Sequence, residues 1–320
     1  MDEARSRRLR RLEEELVESG LPRHPDPDVF EVLVDEVDHM LRPAVHERRI
    51  PTSGTIVEPT SDESGWQQLT RLAIARTPVL RQPLEGARRF ADGLSSWLLR
   101  RAHGRDEWVM FDRPAGSERD LVVLAHALGA TVVQRHPSGA VRVVGAFGVL
   151  RTRGLDWHLE PPVESWMHAV TAPDDAGDPE VLRALLRFAV HDLGAQGIGA
   201  LLVYRPDDGP GPVVEQRLPA PPELDVREAL HLAPLRHALA QLDGAAMFDR
   251  DGIVRQLGVR VVPSLEAERT VDPLGGTRHT SARRYSYDDP DATVVVVSED
   301  GPVTVLRNGA ILGRSADVVG

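Results

Sequence analysis

Gly275-Gly276-Thr277-Arg278-His279 stands ahead of Thr293-Val294-Val295-Val296-Val297, an apolar run that ends in Ser298-Glu299. A short continuous apolar run of this kind reads as a strand covered on both faces. Ile198 to Tyr204 is a second such run. It follows a helix signal in which Asp178 caps, Pro179 takes the first helical position, Val181, Leu182, Leu185, Leu186 and Ala189 form one buried face, and Gly194 stops it. Val226 to Leu239 offers another helix, interrupted near Pro234. Ala245 to Phe248 and Ile253 to Gln256 flank Asp249-Arg250-Asp251-Gly252, a hairpin signal, and Val303 to Leu306 returns after the turn Glu299-Asp300-Gly301-Pro302. Strands and helices alternate, so this half of the chain is expected to be an α/β layer fold.

Upstream, Thr171 to Asp178 has no apolar period and is rich in turn formers, which reads as a linker over 171–179. Before it, residues 28–170 form a separate, smaller α/β or α+β domain. Its clearest strand signals are Leu121 to Leu124, Ala130 to Gln134 and Val141 to Phe147, the last two joined by His136-Pro137-Ser138-Gly139. Asp28 is positioned to cap a helix through Val29, Leu33, Val37 and Met40. Residues 1–20 place Leu9, Leu12 and Leu16 at helical spacing amid charge with Gly20 as the stop, a solvated amphipathic helix that could serve as a pairing arm. Residues 314–320 are left as a tail.

At 320 residues the chain exceeds a typical single core, and its 41% hydrophobic content suffices for two. No apolar run approaches the roughly 18 residues of a membrane span, and the charged start from Asp2 to Arg11 holds no signal core, so a soluble cytoplasmic protein without a membrane partner is expected. The absence of cysteine rules out disulfides and thiolate metal sites and is compatible with the cytosol. A formal charge of −11, with the cations dispersed among more numerous carboxylates, argues against general nucleic-acid binding. The preference for arginine suits phosphate but follows equally from a GC-rich genome. Asp35, Asp38, His39, His46 and Glu47 have the chemistry of metal ligands, yet Arg48 and Arg49 follow and the segment is acidic throughout, so a solvated charged face is the better reading. The five tryptophans (Trp66, Trp97, Trp108, Trp157 and Trp166) are read as core or interface residues.

The chemistry concentrates in the second half. Asp243-Gly244 lies where a helix gives way to a strand, a terminus of the type where α/β proteins place ligands, although such a pair also makes a plain turn. In Gly275 to His279 the glycines let backbone N–H groups approach phosphate oxygens, Thr277 adds a hydroxyl, and Arg278 and His279 add charge-assisted donors. Taken in order and spacing, Asp243-Gly244-Ala245, a hairpin with Gly258-Val259, Gly276-Thr277-Arg278-His279, and Thr293 to Glu299 resemble the diadenylate cyclase domain, a family that joins two ATP molecules into cyclic di-AMP. Leu182 to Tyr204 and Leu230 to Leu242 resemble the family's first helix, first strand and pre-motif helix. The resemblance spans about residues 180 to 312; the first 170 resemble only loosely the varied sensor modules attached to such cyclases.

The resemblance implies a mixed β-sheet flanked by helices over 180–313. It also implies that Asp243, Gly244, Arg278 and His279 are catalytic. Ala245, Gly258, Val259, Gly276, Thr277, Arg278, His279, Thr280, Ser298 and Glu299 would contact nucleotide, Gly258 and Val259 toward adenine and ribose, Ser298 and Glu299 toward the phosphates. Aspartates are ordinarily too weak as bases for a ribose hydroxyl, so Asp243, with Glu299, is expected to hold a divalent metal, Mn2+ or Mg2+. The family reads Arg-His-Arg where this chain has Arg278-His279-Thr280; the missing cation leaves a nucleotide-binding module without turnover as the alternative, with Arg283 or Arg284 as candidate substitutes. Because the product is two-fold symmetric and each chain carries one set of motifs, the partners implied are ATP and a second copy facing the first. Control of that encounter by residues 1–170 is the expected regulation.

Overall fold

A computed structural model of the chain describes residues 3–43, 50–61, 63–79, 84–154, 156–171, 177–207, 212, 214–215 and 218–315. His46 and Glu47, most of the 171–179 linker and residues 316–320 of the expected tail lie outside the described residues, while Arg314 of that tail ends a strand. The chain divides into two compact units, residues 1–162 and 163–320.

In the first unit α1 (Glu3–Glu18) and α2 (Pro27–Leu41) precede β1 (Ser53–Val57), α3 (Glu63–Thr70), β2 (Ile74–Pro78), α4 (Leu84–Arg88), β3 (Ser96–Arg100), β4 (Glu107–Phe111), α5 (Glu118–Leu128), β5 (Thr131–Arg135), β6 (Val141–Gly145), β7 (Gly148–Arg153) and β8 (Asp156–Glu160). The eight strands form one sheet in the order β2-β4-β3-β1-β5-β6-β7-β8, antiparallel except for β1 beside β3. Leu121 to Leu124, expected as a strand, is helical in α5. Ser117 and Asp120 close a capping box, Gly129 ends the helix in the left-handed region at φ 57°, and Leu121, Leu124, Ala125 and Leu128 bury one face. α2 is capped by Asp26 rather than Asp28, with Pro27 at its first position. α1 is no free arm, since Leu12 and Leu16 are buried with Phe30, Val34 and Val133.

Nor is the acidic face of α2 solvated. Glu36, fully buried, accepts from Arg88 Nη2 at 2.7 Å, from Arg100, and from Thr55 Oγ1 at 2.7 Å. Asp35 pairs with Arg88 at 2.7 Å and with Arg5, and Asp38 receives two bonds from Arg8 at 2.9 and 2.8 Å. On the sheet's other face Gln134, Arg142 and Arg151 stand abreast on β5, β6 and β7, with Glu118 between the arginines at 3.5 and 3.3 Å.

The second unit comprises α6 (Val163–Val170), α7 (Pro179–Arg187), β9 (Ala200–Tyr204), β10 (Val214–Glu215), α8 (Ala229–Leu239), β11 (Ala245–Phe248), β12 (Val254–Val261), α9 (Leu265–Thr270), α10 (Thr277–Asp288), β13 (Thr293–Val297), β14 (Val303–Arg307) and β15 (Ala310–Arg314). Asp178 caps α7 through Glu180 N–H, with Pro179 behind it. The helix does not stop at Gly194 but runs on through a π-helical segment, Phe188–Leu193, and a 3-10 turn to Gly197. Pro234 sits inside α8 without interrupting it.

The sheet order is β10-β12-β11-β9-β13-β14-β15, with β9 and β11 parallel and the other pairs antiparallel, a mixed sheet with helices on both faces. One face packs on α6, α7 and α8 through Leu202, Ala246, Val295 and Val305; the other packs on α10 through Leu201, Val203, Val294, Val296 and Leu306 against Ala282 and Tyr285. α6, placed with the first domain on sequence grounds, packs on α7 and β15 instead, where Trp166 and Val170 join the second core.

Candidate functional site

Strand direction gathers the motifs. Ala245 pairs with Leu201, so Asp243 and Gly199 each lie two residues before a paired position on parallel strands. Val297 pairs with Ala200, which brings Ser298 and Glu299 to the same end of the sheet, and Ala245 pairs with Val259 on the other side. Val297 also pairs with Val303, extending this end to β14.

Two clusters of these residues form there, each held together by its own contacts. In the first, Gly244 adopts φ 106° and its backbone lies on that of β12; a Cβ at this position would fall 2.7 Å from Gly258 C and 2.8 Å from Val259 O. Only glycine tolerates both the left-handed conformation and the approach. Gly258, at φ 66°, in turn faces the Asp243 carbonyl. The Asp243 side chain is exposed, and its Oδ1 accepts from Gly244 N–H at 2.9 Å. Asp243, Gly244, Ala245, Gly258 and Val259 therefore lie together.

In the second cluster Arg278 Nη2 lies 3.8 Å from Glu299 Oε1, and both side chains rest over Gly199. A Cβ on Gly199 would come within 2.4 Å of Arg278 Nη1 and 2.8 Å of Glu299 Cγ. Gly199 is a site residue that sequence reading missed; its only local signal is the pair Gly197 and Gly199 ahead of a buried strand.

Thr277, Arg278 and His279 do not lie on a loop: they form the first turn of α10. Gly276, the N-cap, has no side chain to bond the first-turn N–H groups, so the positive end of a twelve-residue helix is left without a side-chain cap. An open helix start of this kind is suited to an anion. His279 is half-buried, and burial first, then the charges of Arg314 and Arg278, hold its pKa below the ordinary histidine value. It is consequently neutral at pH 7, able to donate one hydrogen bond and accept another.

Thr280, assigned to the nucleotide, turns its hydroxyl the other way. Oγ1 accepts from Leu274 N–H at 3.1 Å and faces the Leu274 carbonyl at 3.3 Å, which closes the loop ahead of α10. Arg283 and Arg284 are not substitutes for the missing cation either. Arg283 donates to the Gly309 and Asp272 carbonyls at 2.8 and 3.2 Å, and Arg284 to the Val271 carbonyl at 3.4 Å.

A cavity of about 370 Å³ opens at the opposite end of this sheet, where β9 ends and β13 begins, lined by Arg205, Asp207, Asp288, Asp289 and Asp291 among others. Its one arginine is engaged with Asp289 at 2.8 Å, and the remaining carboxylates would repel a polyphosphate. Asp243, Thr277 and Glu299 are exposed at the other end.

Residues 187–311 match the family described as DisA bacterial checkpoint controller nucleotide-binding (DAC), and residues 10–160 match the family described as "Probable sensor domain DACNK". No curated protein matches the chain. Among solved structures, the crystal structure of a hypothetical membrane spanning protein from Bacillus cereus is 20% identical over 42% of this chain and 69% of that one, with a TM-score of 0.30. No helix among the described residues is long and apolar enough to cross a membrane. The glycine-lined strand end and the open start of α10 both fall within 187–311, so the chain carries a domain of the DAC family preceded by one of the DACNK family.

Proposed function

We propose that the DAC domain condenses two ATP molecules into cyclic di-AMP and two pyrophosphates, at a site shared by two facing copies of the chain. In each half-reaction the ribose 3′ oxygen of one nucleotide bonds to the α-phosphorus of the other, the bond from that phosphorus to the bridging oxygen breaks, pyrophosphate leaves, and the hydroxyl proton passes to solvent. The observation that carries the reading is the convergence of four separate segments on one exposed sheet end, two carboxylates and an uncapped helix start among them.

Positioning and charge do most of the work in such a transfer. The first-turn N–H groups of α10, Thr277 Oγ1 and Arg278 bind phosphate oxygens, and neutral His279 donates to one of them. Gly244, Gly258 and Val259, without bulk, let adenine and ribose approach the backbone. Asp243 and Glu299 offer oxygen donors alone, the chemistry that suits Mg2+ or Mn2+, whose remaining positions phosphate oxygens and water would fill. Asp243 and Glu299 are the residues that would hold such a cation, whose chemistry there would be to lower the pKa of a hydroxyl and offset phosphate charge.

Incubating the full chain with ATP and Mn2+ beside Asp243→Asn tests the reading: product is expected from the wild type and at least about 100-fold less from the variant. Product from both, or ATP binding by neither, overturns it. ATP binding without product favours a second reading, a nucleotide-responsive module without turnover, for which the Thr280 hydroxyl turned onto Leu274 is the supporting observation. Regulation by the sensor domain predicts that removing residues 1–162 changes turnover or oligomeric state; if neither moves, that part fails.

A further inference from the structure

We infer that Arg314 binds the phosphates of the nucleotide, supplying the cation that Thr280 does not. The inference rests on the nucleotide reading above. Arg314 is the last residue of β15 and pairs with Thr304 of β14. Thr304 shares a face with Leu306, which packs on α10, whereas neighbouring Gly313 faces Trp166 on the other side of the sheet. Alternation along β15 therefore aims Arg314 at the α10 side. Ser315 fixes the end of the strand: its N–H donates to the Val303 carbonyl at 3.0 Å, and its Oγ accepts from Val303 N–H at 2.7 Å. Since Val303 pairs with Val297, this clip puts Arg314 at the end of the sheet that carries Ser298 and Glu299.

Charge supports the assignment. Arg314 is close enough to His279 to depress its pKa together with Arg278. Three positive elements thus converge: Arg278, Arg314 and the open end of α10. Arg205, Arg283, Arg284 and Arg307 are all spent on carboxylate, carbonyl or hydroxyl partners, but the Arg314 guanidinium makes no hydrogen bond and no ion pair among the described residues. Glu299, 3.8 Å from Arg278, is the one carboxylate paired with this group among the described residues, so the positive charge of Arg314 and of the helix start is left over for an anion, and a polyphosphate is the anion this end of the sheet suits.

The test measures binding of 3′-deoxy-ATP, which lacks the attacking hydroxyl, and of 3′-deoxyadenosine, which lacks the phosphates, to the full chain and to Arg314→Gln and Arg314→Lys. Loss of one charged hydrogen bond should weaken 3′-deoxy-ATP by roughly 10- to 100-fold in Arg314→Gln, with a smaller loss in Arg314→Lys. Affinity for 3′-deoxyadenosine and the thermal midpoint should stay at wild-type values. Equal weakening of both ligands would assign Arg314 a structural role, and unchanged binding of both would assign it none; either overturns the inference while the nucleotide reading stands. Failure of the wild type to bind 3′-deoxy-ATP would remove both.

Discussion

The two sheets place their charge differently. In the sensor domain ionic side chains are buried on both faces: Glu36 with Arg88 and Arg100 beneath α2, and Glu118 with Arg142 and Arg151 beneath α5. In the DAC domain the central strands β9 and β13 are apolar on both faces, and the charged residues Asp243, Arg278, Glu299 and Arg314 collect at one end. Buried pairs hold each other in place at a high desolvation cost, whereas charges at a strand end stay hydrated until a ligand arrives. The first domain thus commits its ions internally, and the second leaves them at least partly exposed at a strand end.

The largest effect expected from breaking that contrast is at Glu36. Glu36→Ala would remove the fully buried carboxylate that Arg88 and Arg100 share, leaving Arg88 to Asp35 and Glu85 and Arg100 to Asp106, and breaking a buried pair costs up to about 3–5 kcal/mol. Urea unfolding of the full chain should show the loss in the sensor domain with nucleotide binding retained. A cost below about 1 kcal/mol would mean these pairs do not hold the first sheet. Next comes Gly244→Ala, which forces a side chain into the left-handed region and against the backbone of β12. Strain of that type costs on the order of 1–3 kcal/mol, and it should appear mainly as lost ATP binding, since the displaced segment is the site itself. Wild-type binding by this variant would detach the Asp243 turn from the nucleotide.

The smallest effect sharpens the comparison through pH. His136, on the sensor sheet, has its pKa pushed down to about 4 by burial and by the Arg142 charge. An unfolded histidine titrates near 6.5, so the unfolded chain binds the extra proton first, and stability from this group is complete above about pH 6.5 and lost as pH falls toward 4. Chemical denaturation at pH 7 and pH 4.5 should show a smaller drop for His136→Gln than for the wild type. Parallel profiles would remove His136 as a contributor.

Much of the DAC domain was legible because its signals are local. Asp178-Pro179 starts a helix, Asp249 to Gly252 turns a hairpin, and runs such as Val294 to Val297 have no alternative to a doubly covered strand. Local reading failed where a neighbour decides. Leu121 to Leu124 is apolar enough for a strand, but the box made by Ser117 and Asp120 and the stop at Gly129 select helix. The acidic side of α2 read as solvated because Arg88 and Arg100 arrive from more than 50 residues away. Thr280 read as a phosphate ligand because its bond to Leu274 depends on how the loop folds back. Gly199 and Arg314 carry no motif and gain their meaning from register across β9, β13, β14 and β15.

Gly313 faces the Trp166 ring of α6, and a Cβ there would sit 3.4 Å from the indole, an ordinary van der Waals contact one residue from Arg314. α6 therefore backs the strand that ends in this arginine, and removing the indole would take away the support behind β15 without touching the exposed end of the sheet.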